Sequence, residues 1–421
     1  MIKSIPSNRP FYGWTNTGIL FAIFSLMGVV NFGYAVIFPV MINDMNWGRG
    51  EASIAYSLNV ILSGLLAPII AISINKFGAR KTINFGLIFM ITGLMLLGTM
   101  VKEIWQWTLV WGTFIAVGNG FTGLLPVQAT VMQWFNVKRA TVLGIVMSAG
   151  AVGGFIAQPL FTFMMNVVQS WRIAWLTASI FSVFAMVVSF WLKNKPADMG
   201  QYPDGIDPEE TVNGNNAPKR YAQTYRTTDN WKVGEVLRNR VIWFIVIVGV
   251  SYSMSIGLVI THGVLHFTDK GYSQMQAASI LGSLIFASGI ARFSIGWVGD
   301  RIEPRWIIFA AMLFLFFAFL GIWSAVSIAW LMLIAPVFGF CFGSLLVILS
   351  VMVGNYFGPD TFASIGGIIG PILILFGAVV PVGSGYIAEQ TGNYNLAFLL
   401  LAATLLVGVF FSLFLKPPKR S

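Results

Sequence analysis

Arg292 is the residue whose type and position most invite chemistry. It stands in Phe286-Ala287-Ser288-Gly289-Ile290-Ala291-Arg292-Phe293, inside a long apolar run. A charge in such a run costs on the order of 2.5–3.5 kcal/mol on insertion scales, so it points to function first. A guanidinium stays protonated and forks onto a carboxylate through two parallel hydrogen bonds. Arg292 is therefore the candidate clamp for a small organic anion. The alternative is a side chain that snorkels to the membrane surface or pairs within the fold. His262 and His266, the only two histidines, lie one helical turn apart. Imidazole titrates near neutral pH, so either could carry a coupled proton, with Asp269 the nearest acid. The alternative is a polar residue near the outer interface, and a metal pair would need a third ligand that the sequence does not suggest. His262 falls ~31 Å along its apolar segment at helical rise, which suits an outer gate or a proton step. The uncharged candidates are Asn31, Tyr34, Asn119, Gln128 and Gln158. Such groups complete an anion site without a second charge, or satisfy neighbouring helices.

The elements that position these residues must lie in lipid. Of 421 residues 57% are hydrophobic and only 10% charged, with a mean hydropathy of +0.80. A soluble domain carries about a quarter charged residues. Apolar runs of twenty residues without alternation span a bilayer as helices, not as barrel strands. Twelve spans are expected near 14–41, 51–73, 81–101, 106–133, 139–166, 171–193, 241–267, 273–297, 304–326, 328–355, 361–388 and 394–416. The fold class is an all-α membrane protein of two six-helix bundles, 1–193 and 241–421. A polar, Pro- and Gly-rich stretch, 194–240, reads as a soluble linker between them.

The net charge of +10 sits in loops, which speaks for lipid rather than nucleic acid as the partner. Lys76, Arg80, Lys81, Lys138, Arg139, Arg301, Arg305, Lys416, Lys419 and Arg420 all fall on one side with the linker. The positive-inside rule then places both termini in the cytoplasm. The first hydrophobic segment lacks a signal-type cleavage site and is expected to be retained. The lone Cys341 excludes an internal disulfide. No P-loop, metal-ligand cluster or Ser-His-Asp arrangement is visible, so neither an enzyme nor a cofactor nor a metal is expected.

The halves repeat. Asn75-Lys76-Phe77-Gly78-Ala79-Arg80 aligns with Asp300-Arg301-Ile302-Glu303-Pro304-Arg305, and the same spacing sets Asp44 on Asp269 and Trp47 on Tyr272. Parallel repeats imply a central site and alternating access. The counterpart of Arg292 is Ala67, so the repeat is broken where the charge stands. A shared structural role would place a polar residue in both halves.

At Gly296-Trp297-Val298-Gly299-Asp300-Arg301 through Arg305 the chain resembles the major facilitator superfamily, whose loop motif is G-x-x-x-D-R-x-x-x-R. The resemblance implies that Asp300 and Arg301 act in a latch that pairs with helix ends in one access state. The first half departs from the motif, with Asn75 and Lys76 where Asp and Arg are usual. Trp134-Phe135-Asn136-Val137-Lys138-Arg139, then Gly144 and Ser148-Ala149-Gly150, is similar to a pattern of the monocarboxylate transporters and the oxalate/formate antiporters. Pro10-Phe11-Tyr12-Gly13-Trp14 and Met199-Gly200-Gln201-Tyr202-Pro203-Asp204-Gly205 look like prokaryotic members of that branch. Within it Arg292 matches the family arginine, and Ser288 stands where the family has an acid four residues earlier. The antiporters are expected to carry a second cation, a lysine in span 11, and span 11 here has no Lys, Arg or His. The reading is a secondary transporter of small monocarboxylates such as lactate, pyruvate or acetate, with proton symport, in the cytoplasmic (inner) membrane, working as a monomer. An anion exchanger of the oxalate/formate type is the alternative. A membrane sensor or channel is the alternative from another class.

Overall fold

The computed structural model describes residues 10–207, 224–229 and 231–419. The linker residues 208–223, Arg420 and the side chain of Gln158 lie outside the described residues. Sixteen α-helices follow one another among those described. They are α1 (Gly13–Asp44), α2 (Arg49–Leu65), α3 (Ala67–Phe77), α4 (Ala79–Thr99), α5 (Ile104–Leu109), α6 (Ala116–Thr122), α7 (Leu124–Trp134), α8 (Arg139–Val168) and α9 (Arg172–Ser189), then α10 (Val233–Arg238), α11 (Arg240–Asp269), α12 (Gln274–Gly299), α13 (Pro304–Ser324), α14 (Ile328–Phe357), α15 (Pro359–Thr391) and α16 (Asn395–Ser412). Eleven helical stretches are long and apolar enough to cross a membrane, and the bent pair α2–α3 makes a twelfth. The twelve expected spans therefore all appear as helix.

Local sequence explains where the spans bend. α2 and α3 meet at 46°. Pro68 sits in the first turn of α3, where its missing N–H is harmless but the ladder of α2 cannot continue through it. The fourth span is built in pieces. A π-helical segment, Val110–Ile115, joins α5 to α6, and the chain breaks again at Gly123 before α7. Single π turns collect at functional positions. The turns from α3 to α4 and from α14 to α15 each pass through a glycine in the left-handed region, Gly78 at φ 83° and Gly358 at φ 87°.

The chain divides into two compact units. One comprises 1–138, 145–217 and 362–368, and the other 139–144, 218–361 and 369–421. In the first, α1 and α8 pack backbone to backbone. A methyl on Gly28 would overlap the Gly150 carbonyl, and one on Gly153 the Ser25 carbonyl. In the second, α12 and α14 do the same, Gly339 lying on the Leu284 carbonyl and Gly343 on the Ser288 carbonyl. Small residues one turn apart permit this approach without hydrophobic drive in lipid.

The stretch expected as a solvated linker is partly folded. Residues 191–205 lie against the first unit. Tyr12 Oη donates to the Trp191 carbonyl at 2.8 Å, Asn16 Nδ2 and Trp134 Nε1 donate to the Lys193 carbonyl, and the Arg80 N–H donates to Asn194 Oδ1 at 2.9 Å. Gln201 accepts from the Tyr12 N–H at 3.0 Å. Asp204, at φ 59°, accepts from the N–H groups of Asn136, Val137 and Lys138 at 2.8, 2.7 and 3.2 Å. In the second unit the Thr227 N–H donates to the Asn355 carbonyl at 2.8 Å and the Tyr225 N–H to Glu303 Oε2 at 2.7 Å.

Candidate functional site

Arg292 is carried by α12, and α12 is fixed on two sides. Gly339 and Gly343 of α14 receive its Leu284 and Ser288 carbonyls, and Gly144 at the start of α8 receives the Arg292 carbonyl. The Arg292 side chain is half-buried and runs back along its own helix. Its Nη2 donates to Ser288 Oγ at 3.4 Å, and its guanidinium lies 5.7 Å from the centroid of the Phe342 ring. Ser288 is only 1% exposed. The structure therefore brings Arg292 and Ser288 together, as their i, i+4 spacing requires. A guanidinium carries five N–H donors in a planar fork, a geometry that matches a carboxylate.

Asp300 closes α12 and meets the N-terminus of α8. Its carboxylate accepts from the Ala140 and Thr141 N–H groups at 2.8 and 2.9 Å. An anion there satisfies two of the donors that a helix start leaves open. Burial pushes the Asp300 carboxyl above the ordinary carboxylate range, while the Thr141 and Ala140 donors and Arg226 pull it back. Arg301 turns the other way. Its Nη1 donates to the Trp297 carbonyl at 2.6 Å and its guanidinium stacks 3.8 Å over the Trp297 ring. Arg139 donates instead, from Nη1 to Asn355 Oδ1 at 2.7 Å. In the first half Asn75 Nδ2 donates to Ser364 Oγ at 2.7 Å, so the position that is acidic at Asp300 uses a neutral contact.

The histidines have separate surroundings. His262 on α11 has Nε2 2.9 Å from the Pro381 carbonyl and Nδ1 3.2 Å from Tyr394 Oη. A carbonyl only accepts, so Nε2 carries the hydrogen and Nδ1 accepts from the tyrosine. Burial, with Asp269 and Glu389 adding, pushes the Tyr394 hydroxyl up, which keeps it a neutral donor. His266 is 2% exposed, with Nε2 3.2 Å from the Trp323 carbonyl. Asp269 is exposed at the last residue of α11.

The uncharged candidates lie in the first unit. Asn119 on α6 has Nδ2 3.5 Å from Asn31 Oδ1 and 3.5 Å from Asn59 Oδ1. Asn59 on α2 in turn donates to the Trp111 carbonyl at 2.8 Å. Tyr34 stands in an aromatic stack, its ring 4.8 Å from Phe38 and 4.8 Å from Trp111. Gln128 on α7 has Nε2 3.6 Å from Met147 Sδ. Asn59, Tyr394 and Asp204 are absent from the sequence-derived candidates. Asn59 carried the signal that marked Asn31, a lone amide in an apolar run. Tyr394 carried none, and Asp204 carried only its place in a family-like stretch, because their partners are far away in the chain.

The sequence matches the Major Facilitator Superfamily over residues 19–380 and 285–421. It is 24% identical over 417 residues to monocarboxylate transporter 13 of Bos taurus, covering 95% of this chain and 88% of that protein. It is 21% identical to the hexuronate transporter of Bacillus subtilis, covering 89% of each. Among solved structures, the E. coli fucose:proton symporter FucP superposes with a TM-score of 0.73 at 15% identity, covering 96% of this chain and 99% of that one. The human organic anion transporter MFSD10 superposes with a TM-score of 0.71 at 15% identity, covering 96% and 100%. At such identities the structural likeness speaks for the fold alone.

Proposed function

The chain belongs to the major facilitator superfamily and is a multi-pass membrane transporter, and from that premise we propose that it carries small monocarboxylates together with a proton. The observation that carries the reading is Arg292, a half-buried guanidinium within a membrane span with Ser288 beside it. One cation suits one carboxylate. Ser288 stands where a proton-binding acid would otherwise be, so the proton step falls to His262, whose tautomer is set by Pro381 and Tyr394. The Asn31, Tyr34, Asn119 and Gln128 side chains, all of the first unit, are the proposed uncharged substrate contacts. Asp300 and Arg301 serve the latch. The span Pro359–Thr391 holds no Lys, Arg or His, which favours a monocarboxylate over a dianion. The names of the monocarboxylate transporter relatives support the same class. The loop lysines and arginines support cytoplasmic termini in a cytoplasmic (inner) membrane.

The test is uptake of labelled lactate, pyruvate, acetate, formate and oxalate into proteoliposomes, with and without a pH gradient. Arg292→Ala is expected to lower uptake by one to two orders of magnitude, since hydrogen bonds to charged groups are worth about 1.5–3 kcal/mol. Undiminished uptake would sink the clamp. Acceleration by anion inside the vesicle, with no response to pH, would favour exchange instead.

A further inference from the structure

We propose that Asn31, Asn59 and Asn119 form a subsite that reads a hydroxyl group on the transported acid. This rests on the carboxylate reading above and adds a preference for hydroxylated over plain and keto acids. Asn59 is a new member of the binding set.

The hydrogen-bond network decides which way the three amides point. Asn31 Nδ2 is used on the Met27 carbonyl at 2.9 Å, and Asn59 Nδ2 on the Trp111 carbonyl at 2.8 Å. A carbonyl only accepts, so both nitrogens are fixed as donors there and both Oδ1 atoms are left facing Asn119 as acceptors. Asn119 must then present its Nδ2 to them, at 3.5 Å each. Its own Oδ1 is buried and has no hydrogen-bond partner among the described residues. The side chain is 7% exposed, and Asn59 is 6% exposed. Three amides from three helices thus leave one acceptor wanting a donor, inside a membrane span, where an unmet polar group is costly.

The demand for a donor selects the ligand chemistry. A carboxylate and a ketone offer only acceptors, and an alkyl carbon offers neither. A hydroxyl donates to Asn119 Oδ1. The chain around Asn119 departs from regular α-helix on both sides. The π-helical Val110–Ile115 precedes α6, and the break at Gly123 follows it. A methyl on Gly123 would overlap the Asn119 carbonyl. Asn119 thus sits on a seven-residue helix bounded by an irregular turn on each side.

The experiment compares propionate, lactate, glycerate and pyruvate, a three-carbon series with zero, one or two hydroxyls and a keto control. Each is measured as kcat/KM for uptake into proteoliposomes. The wild type is expected to favour lactate over both propionate and pyruvate by about tenfold or more, because a site that hydrogen-bonds a hydroxyl rejects analogues lacking it. Asn119→Leu and Asn59→Leu are expected to lower lactate uptake about tenfold more than propionate uptake. A wild type with no preference for the hydroxyl overturns the proposal. So does an unchanged lactate-to-propionate ratio in either variant, or an equal loss on all four acids in both, which marks a structural role. A wild type that transports none of the four overturns the carboxylate reading instead.

Discussion

A carboxylate at Asp300 accepts from two N–H groups at the start of α8, a geometry that favours the ionised form, inside a site whose burial opposes it. Burial is the larger effect, and the folded state therefore holds its proton more tightly than the unfolded chain. The contribution of this group to stability is full below the ordinary carboxylate value, about pH 4, and is lost as pH rises through the raised folded value. Thermal unfolding of the purified protein in detergent checks this. The difference in Tm between wild type and Asp300→Asn is expected to move against the wild type as pH climbs from about 4 towards neutrality. A difference that stays flat across that range would mean that the burial is not felt. Arg292 was legible because it is a charge alone in an apolar run. Asn59 was equally visible as a polar residue, but without a charge nothing set it above other amides until the contact with Asn119 was known.

At the scale of elements, hydropathy found every span because twenty apolar residues leave a chain in lipid few choices but helix. What it could not find are the interruptions. Pro68 hints at the bend between α2 and α3, whereas nothing in Val110-Trp111-Gly112-Thr113-Phe114-Ile115 marks a π turn. The linker shows the opposite failure. Its Pro, Gly and charged residues read as solvated, yet Asp204 ties down the loop before α8 with three hydrogen bonds. Polar composition cannot tell a residue bonded to water from one bonded to backbone. Asp204→Ala is expected to cost about 1–2 kcal/mol, in the range of a lost helix cap, read as a lower Tm and faster limited proteolysis. Asp204→Asn, which tolerates the left-handed backbone, is expected to lose about half as much. Equal stability of both variants and wild type would show that the strap bears no load.

For the whole molecule, proton coupling predicts that a pH gradient with the acid side outside the vesicle speeds carboxylate uptake several-fold. His262→Gln keeps a donor and acceptor in the position but cannot take up a proton. It is expected to flatten the pH dependence of uptake while Arg292→Ala lowers uptake at every pH. A pH profile that His262→Gln leaves unaltered removes the histidine from the coupling. The resemblance to the monocarboxylate branch was readable because short motifs survive at 24% identity. The partners of His262 were not, since Tyr394 and Pro381 lie more than a hundred residues further along. The strap formed by residues 191–205 also governs how the chain can be divided. Separate co-expressed fragments, a standard way to ask whether two halves assemble without a covalent tether, should be cut after Asp207. A cut near 193, where hydropathy ends, strips Asn194, Gln201 and Asp204 from the fragment they hold together, and would report a failed half where the fault is the choice of scissors.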